Sequence, residues 1–121
     1  MVLVDTSVWI DHFRRANARL VSLLESAEVA VHPFVVGEIA CGNISNRKEI
    51  IPLLESLPPV GRVGDEEVLL FIERHRLMGR GIGLVDAHLL ASCFLDGCRL
   101  WTKDKSLAGA AEALKVGFHE T

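Results

Sequence analysis

Short apolar runs alternate with helix-patterned segments along the whole 121-residue chain, and no other feature restricts its fold as much. Val2 to Asp5 reads as a short buried strand, and Ser7 to about Arg15 winds a helix with Val8, Trp9 and Phe13 inward. Ala18 to Ser26 makes a second helix on Leu20, Leu23 and Leu24. "VAVHP" (29 to 33) is a strand stopped by Pro33, since proline donates nothing to a ladder and restricts the residue before it. "FVVGEIACG" then forms a short helix ending at Gly42, and "NRKEIIPLLESL" another capped by Asn46. Pro52 weakens that second helix, because an interior proline costs about 3 kcal/mol outside a first turn or a kink. "DEEVLLFIERHRLMG" has an acidic first turn and a basic end, the loop "RGIG" follows, and "LVDAHLLASCFLDG" is apolar enough on most faces to be a central buried helix ended by Gly97. "RLWT" is a strand, "KSLAGAAEALK" a helix and "VGFHE" a last short strand. This order predicts a three-layer α/β/α sandwich around a short, mainly parallel central sheet of four to five strands.

A chain of this length, half of it hydrophobic, suits one compact domain over residues 1–121 that needs no disulfide or structural metal to fold. Cys41, Cys93 and Cys98 are odd in number, form no CxxC pair and lie in apolar stretches, as expected of reduced core thiols. No charged apolar leader precedes the first strand, and no run approaches the roughly 18 apolar residues of a membrane span. A soluble, cytoplasmic protein with no membrane partner is expected. The net charge of −3 argues against indiscriminate coating of nucleic acid, yet allows an enzyme that grips phosphates locally.

Most of the sixteen acids lie where water reaches them easily, but Asp5, Glu38, Asp86 and Asp104 lie in or beside apolar stretches. Asp5 and Asp104 could simply cap the helices that follow, and Asp86 could favour the positive end of its own. Glu38 has no such excuse, being mid-helix with no Lys or Arg three or four residues away. In an open parallel sheet, strand ends and the first turns of the following helices converge on the edge where ligands bind. Four carboxylates there either take up protons or bind a cation, since two unit charges about 4 Å apart repel by about 4 kcal/mol at an effective dielectric of 20. An all-oxygen donor set suits Mg²⁺ or Mn²⁺ rather than zinc, and the chemistry such an ion supports is phosphodiester hydrolysis.

"MVLVDTSVWID", "PFVVGEIACG", "GLVDAHLLA" and "LWTKDKSL" occur in the order and at about the spacing found in PIN-domain ribonucleases, and the chain resembles the VapC-type toxins of toxin–antitoxin pairs from Val2 to about Phe118. The resemblance implies a PIN-like fold and a type II toxin acting as a Mg²⁺- or Mn²⁺-dependent endoribonuclease, with Asp5, Glu38, Asp86 and Asp104 as metal-binding acids. Thr6 or Ser7, and Thr102, match hydroxyl positions that orient those carboxylates. Ser106 stands where many relatives carry a further acid, which bears on a second metal. The resemblance also implies a small antitoxin partner, a homodimer and higher assembly with the antitoxin. Trp9, Phe13, Leu20 and Leu24 offer apolar surface beyond the needs of one thin core.

Lys103 and Lys105 flank Asp104, and Arg80 precedes Asp86, so these three are the candidate RNA-binding cations. Arg14, Arg15, Arg47 and Lys48 are more remote. "GRGIG" follows a helix, not a strand, and so reads as a mobile loop rather than a dinucleotide site. His12, His32, His75, His88 and His119 read as satisfied or solvent-facing side chains. Two other functions compete: a catalytically silent PIN-like module that binds antitoxin or nucleic acid, and a phosphotransfer domain, which the lack of a second acid two residues after Asp5 disfavours.

Overall fold

The computed structural model describes residues 1–120. Its strands are β1 (Val2–Val4), β2 (Val29–Ala30) and β3 (Arg99–Trp101), and its helices α1 (Thr6–Arg14), α2 (Ala18–Glu25), α3 (Pro33–Cys41), α4 (Arg47–Glu55), α5 (Asp65–His75), α6 (Leu84–Asp96) and α7 (Lys105–Ala113). The sheet runs β2-β1-β3, and both pairings are parallel, with Leu3 opposite Ala30 and Leu100. Parallel neighbours need long crossovers, which is why helices separate every strand from the next.

The expected fourth and fifth strands do not form. Residues 116–118 contribute a single bridge, Leu100 to Gly117, and Val31 leaves the β1 ladder to bridge Pro59. Lys115 takes a left-handed turn just before the first, and Phe118 is followed by polar His119 and Glu120, which give the ladder no apolar content to extend. Pro33 is not a strand end but the first residue of α3, where its missing N–H is no loss. Pro52 does lie inside α4, and Asn46 precedes that helix in a left-handed conformation without a side-chain cap.

The core forms on the two sides of β1, whose residues Val2, Leu3 and Val4 are all buried. Leu3 alone, at 0% exposure, represents about 2 kcal/mol of apolar burial. From α6, Ala87, Leu89, Leu90, Ala91 and Cys93 are buried, in keeping with a helix apolar on most faces. Gly97 ends it with φ +73°, a left-handed cap that a side chain would strain. Trp9 and Leu20 belong to the core, whereas Phe13 and Leu24 are only partly covered. Cys93 and Cys98 are buried free thiols, but Cys41 is exposed, contrary to a core role for all three. No helix among the described residues is long and apolar enough to cross a membrane.

Candidate metal-binding site

Asp5 follows β1 directly, and its backbone N–H donates to the Trp101 carbonyl at 2.9 Å, so the tips of β1 and β3 lie side by side. The burial of β1 fixes where Asp5 points. Its carbonyl receives the Val8 and Trp9 amides at the head of α1, yet its carboxylate makes no cap hydrogen bond. Capping therefore does not explain this acid. The carboxylate is instead held by hydroxyls: Thr102 donates to Oδ2 at 2.7 Å and Ser7 donates to the same oxygen at 2.9 Å. These hydroxyls lie 3.3 Å apart, Lys103 N–H donates to Ser7 Oγ, and Asp104 N–H donates to Thr102 Oγ1 at 3.1 Å. Asp5 is 7% exposed, a nearly buried charge with one oxygen doubly engaged.

Asp104 caps α7, where its Oδ1 accepts the Leu107 N–H at 3.0 Å. Asp86, in the first turn of α6, accepts the Gly83 N–H at 3.1 Å. Both helix-end readings therefore hold for these two acids, alongside any other role. Glu38 comes from the middle of α3 and is tied across to α1, since Thr6 Oγ1 donates to its Oε1 at 2.8 Å. The two hydroxyls after Asp5 thus divide their work, Ser7 serving Asp5 and Thr6 serving Glu38.

Burial raises the pKa of Asp86, the Gly83 hydrogen bond opposes this, and the nearby charges of Asp5, Asp104 and Glu38 raise it further. The four acids thus share one electrostatic field, although among the described residues no three Asp, Glu, His or Cys side chains close around a single point. The ion pairs of the described residues join His88 to Asp65, Lys103 to Asp11 and His119 to Glu112, so none neutralises Asp5, Glu38, Asp86 or Asp104. The donor set is all oxygen, its most buried member is oriented by two hydroxyls, and it lacks a basic counter-charge. That chemistry fits a hard divalent cation.

The candidate cations lie around this group. Lys103 is paired with Asp11 at 3.3 Å, with both side chains about half exposed. Lys105 and Arg80 are exposed. A Cβ on Gly81 would stand 3.0 Å from Ser106 Oγ, so the loop after Arg80 closes onto the start of α7 beside Asp104. Ser106 thus serves as the seat of that loop. Among the histidines, His12 Nδ1 accepts the Asn17 N–H and His119 meets Glu112. His32 and His88 are neither satisfied nor solvent-facing: both are buried, each with one ring nitrogen lacking a partner. Nothing in their sequence surroundings signals this, because the packing comes from segments far apart in the chain.

A parallel three-stranded sheet with helices between successive strands defines a class of protein, and the chain belongs to the PIN domain family, whose model matches residues 2–113. It is 49% identical over 121 residues to Ribonuclease VapC32 of Mycobacterium tuberculosis, in two strains, with 99% of this chain and 98% of that protein covered. Its fold is also similar to a chain in a solved structure described as FitAB bound to an IR36 DNA fragment, at TM-score 0.63 and 23% identity over 97% of this chain and 92% of that one.

Proposed function

We propose that the chain is the toxin of a type II toxin–antitoxin pair, a Mg²⁺- or Mn²⁺-dependent endoribonuclease acting at Asp5, Glu38, Asp86 and Asp104. The observation that carries this reading is four acids in one electrostatic field with no basic side chain paired to any of them. The near-full-length similarity to Ribonuclease VapC32 supports the RNA substrate and the class of partner. A bound divalent ion would supply an activated water and neutralise charge developing on the phosphate.

The protein's own groups do the rest. Asp5, oriented by Thr102 and Ser7, and Glu38, steadied by Thr6, would hold the ion. Asp86 and Asp104, fixed at the heads of α6 and α7, would complete the donor set. Arg80, Lys103 and Lys105 hold RNA phosphates at the rim. Single-strand binding by base stacking has little to work with, since the chain has five Phe, two Trp and no Tyr, so grip comes mainly from phosphate contacts. A small antitoxin and a second copy of the chain are the expected protein partners, and the half-covered Phe13 and Leu24 give apolar surface on α1 and α2 for one of them.

The test is RNA cleavage by the purified chain with Mg²⁺, Mn²⁺ or EDTA. Cleavage should require the ion and fall by roughly 100-fold or more in Asp5→Asn and Asp86→Asn. Undiminished cleavage by both variants, or in EDTA, would reject the reading. Growth and RNA unaffected by expression without antitoxin would favour a silent binding module.

A further inference from the structure

Three large apolar side chains border one groove between α5 and α6 and face water: Leu70 is 66% exposed, Leu95 62% and Phe94 42%. The groove is held in shape by its floor, where the Phe94 ring meets Phe71 at 5.5 Å and His75 at 4.8 Å between centroids. The tail of α6 is thereby locked to the middle of α5. A contiguous apolar strip of this kind on a small domain marks an interaction surface.

The charges beside the strip indicate the partner. Glu67 and Arg74 line the same groove, three residues before and four residues after Leu70. At 1.5 Å per residue they stand about 4.5 Å and about 6 Å from it along the helix, and at 3.6 residues per turn both fall on its α6 side. Neither belongs to an ion pair among the described residues. A two-fold axis across α5 at Leu70 therefore lays the helix antiparallel on its copy, with Leu70 on Leu70 and Glu67 of each copy opposite Arg74 of the other. The same operation sets the acidic first turn of each α5 against the basic last turn of its copy and pairs the helix dipoles head to tail. Glu66 and Glu73 stand on the other flank of Leu70, where like charges would meet, so the copy leans toward α6 and covers Phe94 and Leu95. The groove between α1, α2 and α4 is equally exposed at Leu53, 66%, but no Asp, Glu, Lys or Arg lines it, so nothing there fixes a two-fold register.

We propose that a second copy of this chain docks on this face, α5 antiparallel to α5 about a two-fold axis at Leu70, with Leu70, Phe94 and Leu95 as the dry centre and two Glu67–Arg74 pairs as the rim. The proposal gives the second copy expected above a place on the surface, and it stands on this face rather than on the ribonuclease reading. Asp86 lies eight residues before Phe94 on α6, about 12 Å along the helix, so the contact leaves the acids open. Assembly and RNA cleavage therefore stand or fall separately.

Sedimentation velocity on the purified chain at micromolar concentration reads the assembly, with circular dichroism to confirm that each variant is folded. The parent should sediment as a dimer, and Leu70→Glu should raise its dissociation constant by about 100-fold or more. Leu95→Glu should do the same and replaces it if Leu70→Glu does not fold, whereas Leu53→Glu on α4 should stay within about threefold of the parent. Glu67→Arg and Arg74→Glu should each weaken the dimer by about tenfold, and the two combined in one chain should recover most of that loss, because the exchanged charges match again across the axis. A monomeric parent overturns the proposal. So does a dimer that survives Leu70→Glu and Leu95→Glu, one that Leu53→Glu breaks, or a double charge exchange no tighter than the single variants. RNA cleavage by the same samples answers only the metal-site reading, and its absence in a dimeric parent would leave the α5 face in place.

Discussion

Asp5 is the residue where local and global chemistry separate. A short polar side chain before a helix ordinarily caps it, but here the backbone carbonyl receives the helix amides while the carboxylate takes hydroxyls from Thr102 and Ser7. Removing one such oriented hydroxyl leaves the acid in place but freer to turn. Thr102→Val should therefore raise the Mg²⁺ concentration needed for half-maximal RNA cleavage by about tenfold or more, with little change at saturating metal. Unaltered metal dependence would mean that Thr102 does no orienting. Lys103 offers a gentler test. Its pairing with Asp11 is half exposed and so worth little for stability, and Asp11→Asn should free the lysine for phosphate, lowering KM for RNA by about threefold or less at low salt with the gain lost at high salt.

Elements put these residues in reach of one another, and their glycines make opposite demands. Gly37 lies within α3, on an exposed position where an added Cβ meets nothing within 4 Å. Gly37→Ala should stabilise the fold by about 0.5–1 kcal/mol in urea titration, because alanine gives up less backbone freedom in a helix. Gly81 has φ +76° and sits against Ser106, so Gly81→Ala meets both strain and contact. It should cost about 1–2 kcal/mol and loosen the loop that carries Arg80, seen as a higher KM for RNA. The helices were legible from sequence because caps, acidic first turns and 3.6-residue periodicity are local signals. The last strand was not. "VGFHE" has strand-like content, but whether it pairs depends on how far β3 extends beside it, and only the Leu100 to Gly117 bridge forms.

At the scale of the molecule, pH reports on the buried histidine pair. His32 titrates near 6.5 in the unfolded chain and near 4 in the folded one, so between those values the unfolded state binds more protons. Stability is then fully present above about pH 6.5 and falls as pH drops toward 4. The loss assignable to His32 is roughly 2–3 kcal/mol, set first by burial of the ring and then by the charges of His88 and Arg62. Chemical denaturation from pH 7 to 4 should show that decline, and His32→Asn should flatten it. An unchanged slope in that variant would assign the acid sensitivity to other groups.

The alternation of short apolar runs and helices, written in local periodicity, determined an α/β chain with a parallel sheet. Four acids in apolar settings likewise stood out from sequence because a carboxylate in such a stretch needs a local or long-range reason. Tertiary structure alone decided which reason applied: Asp104 caps its helix, Asp5 does not, and Asp86 feels the charges of acids from three other elements. It also decided that the sheet stops at three strands and that His32 and His88 are buried against each other. These outcomes turn on distances between residues far apart in the chain, and periodicity and local spacing carry no information about such distances.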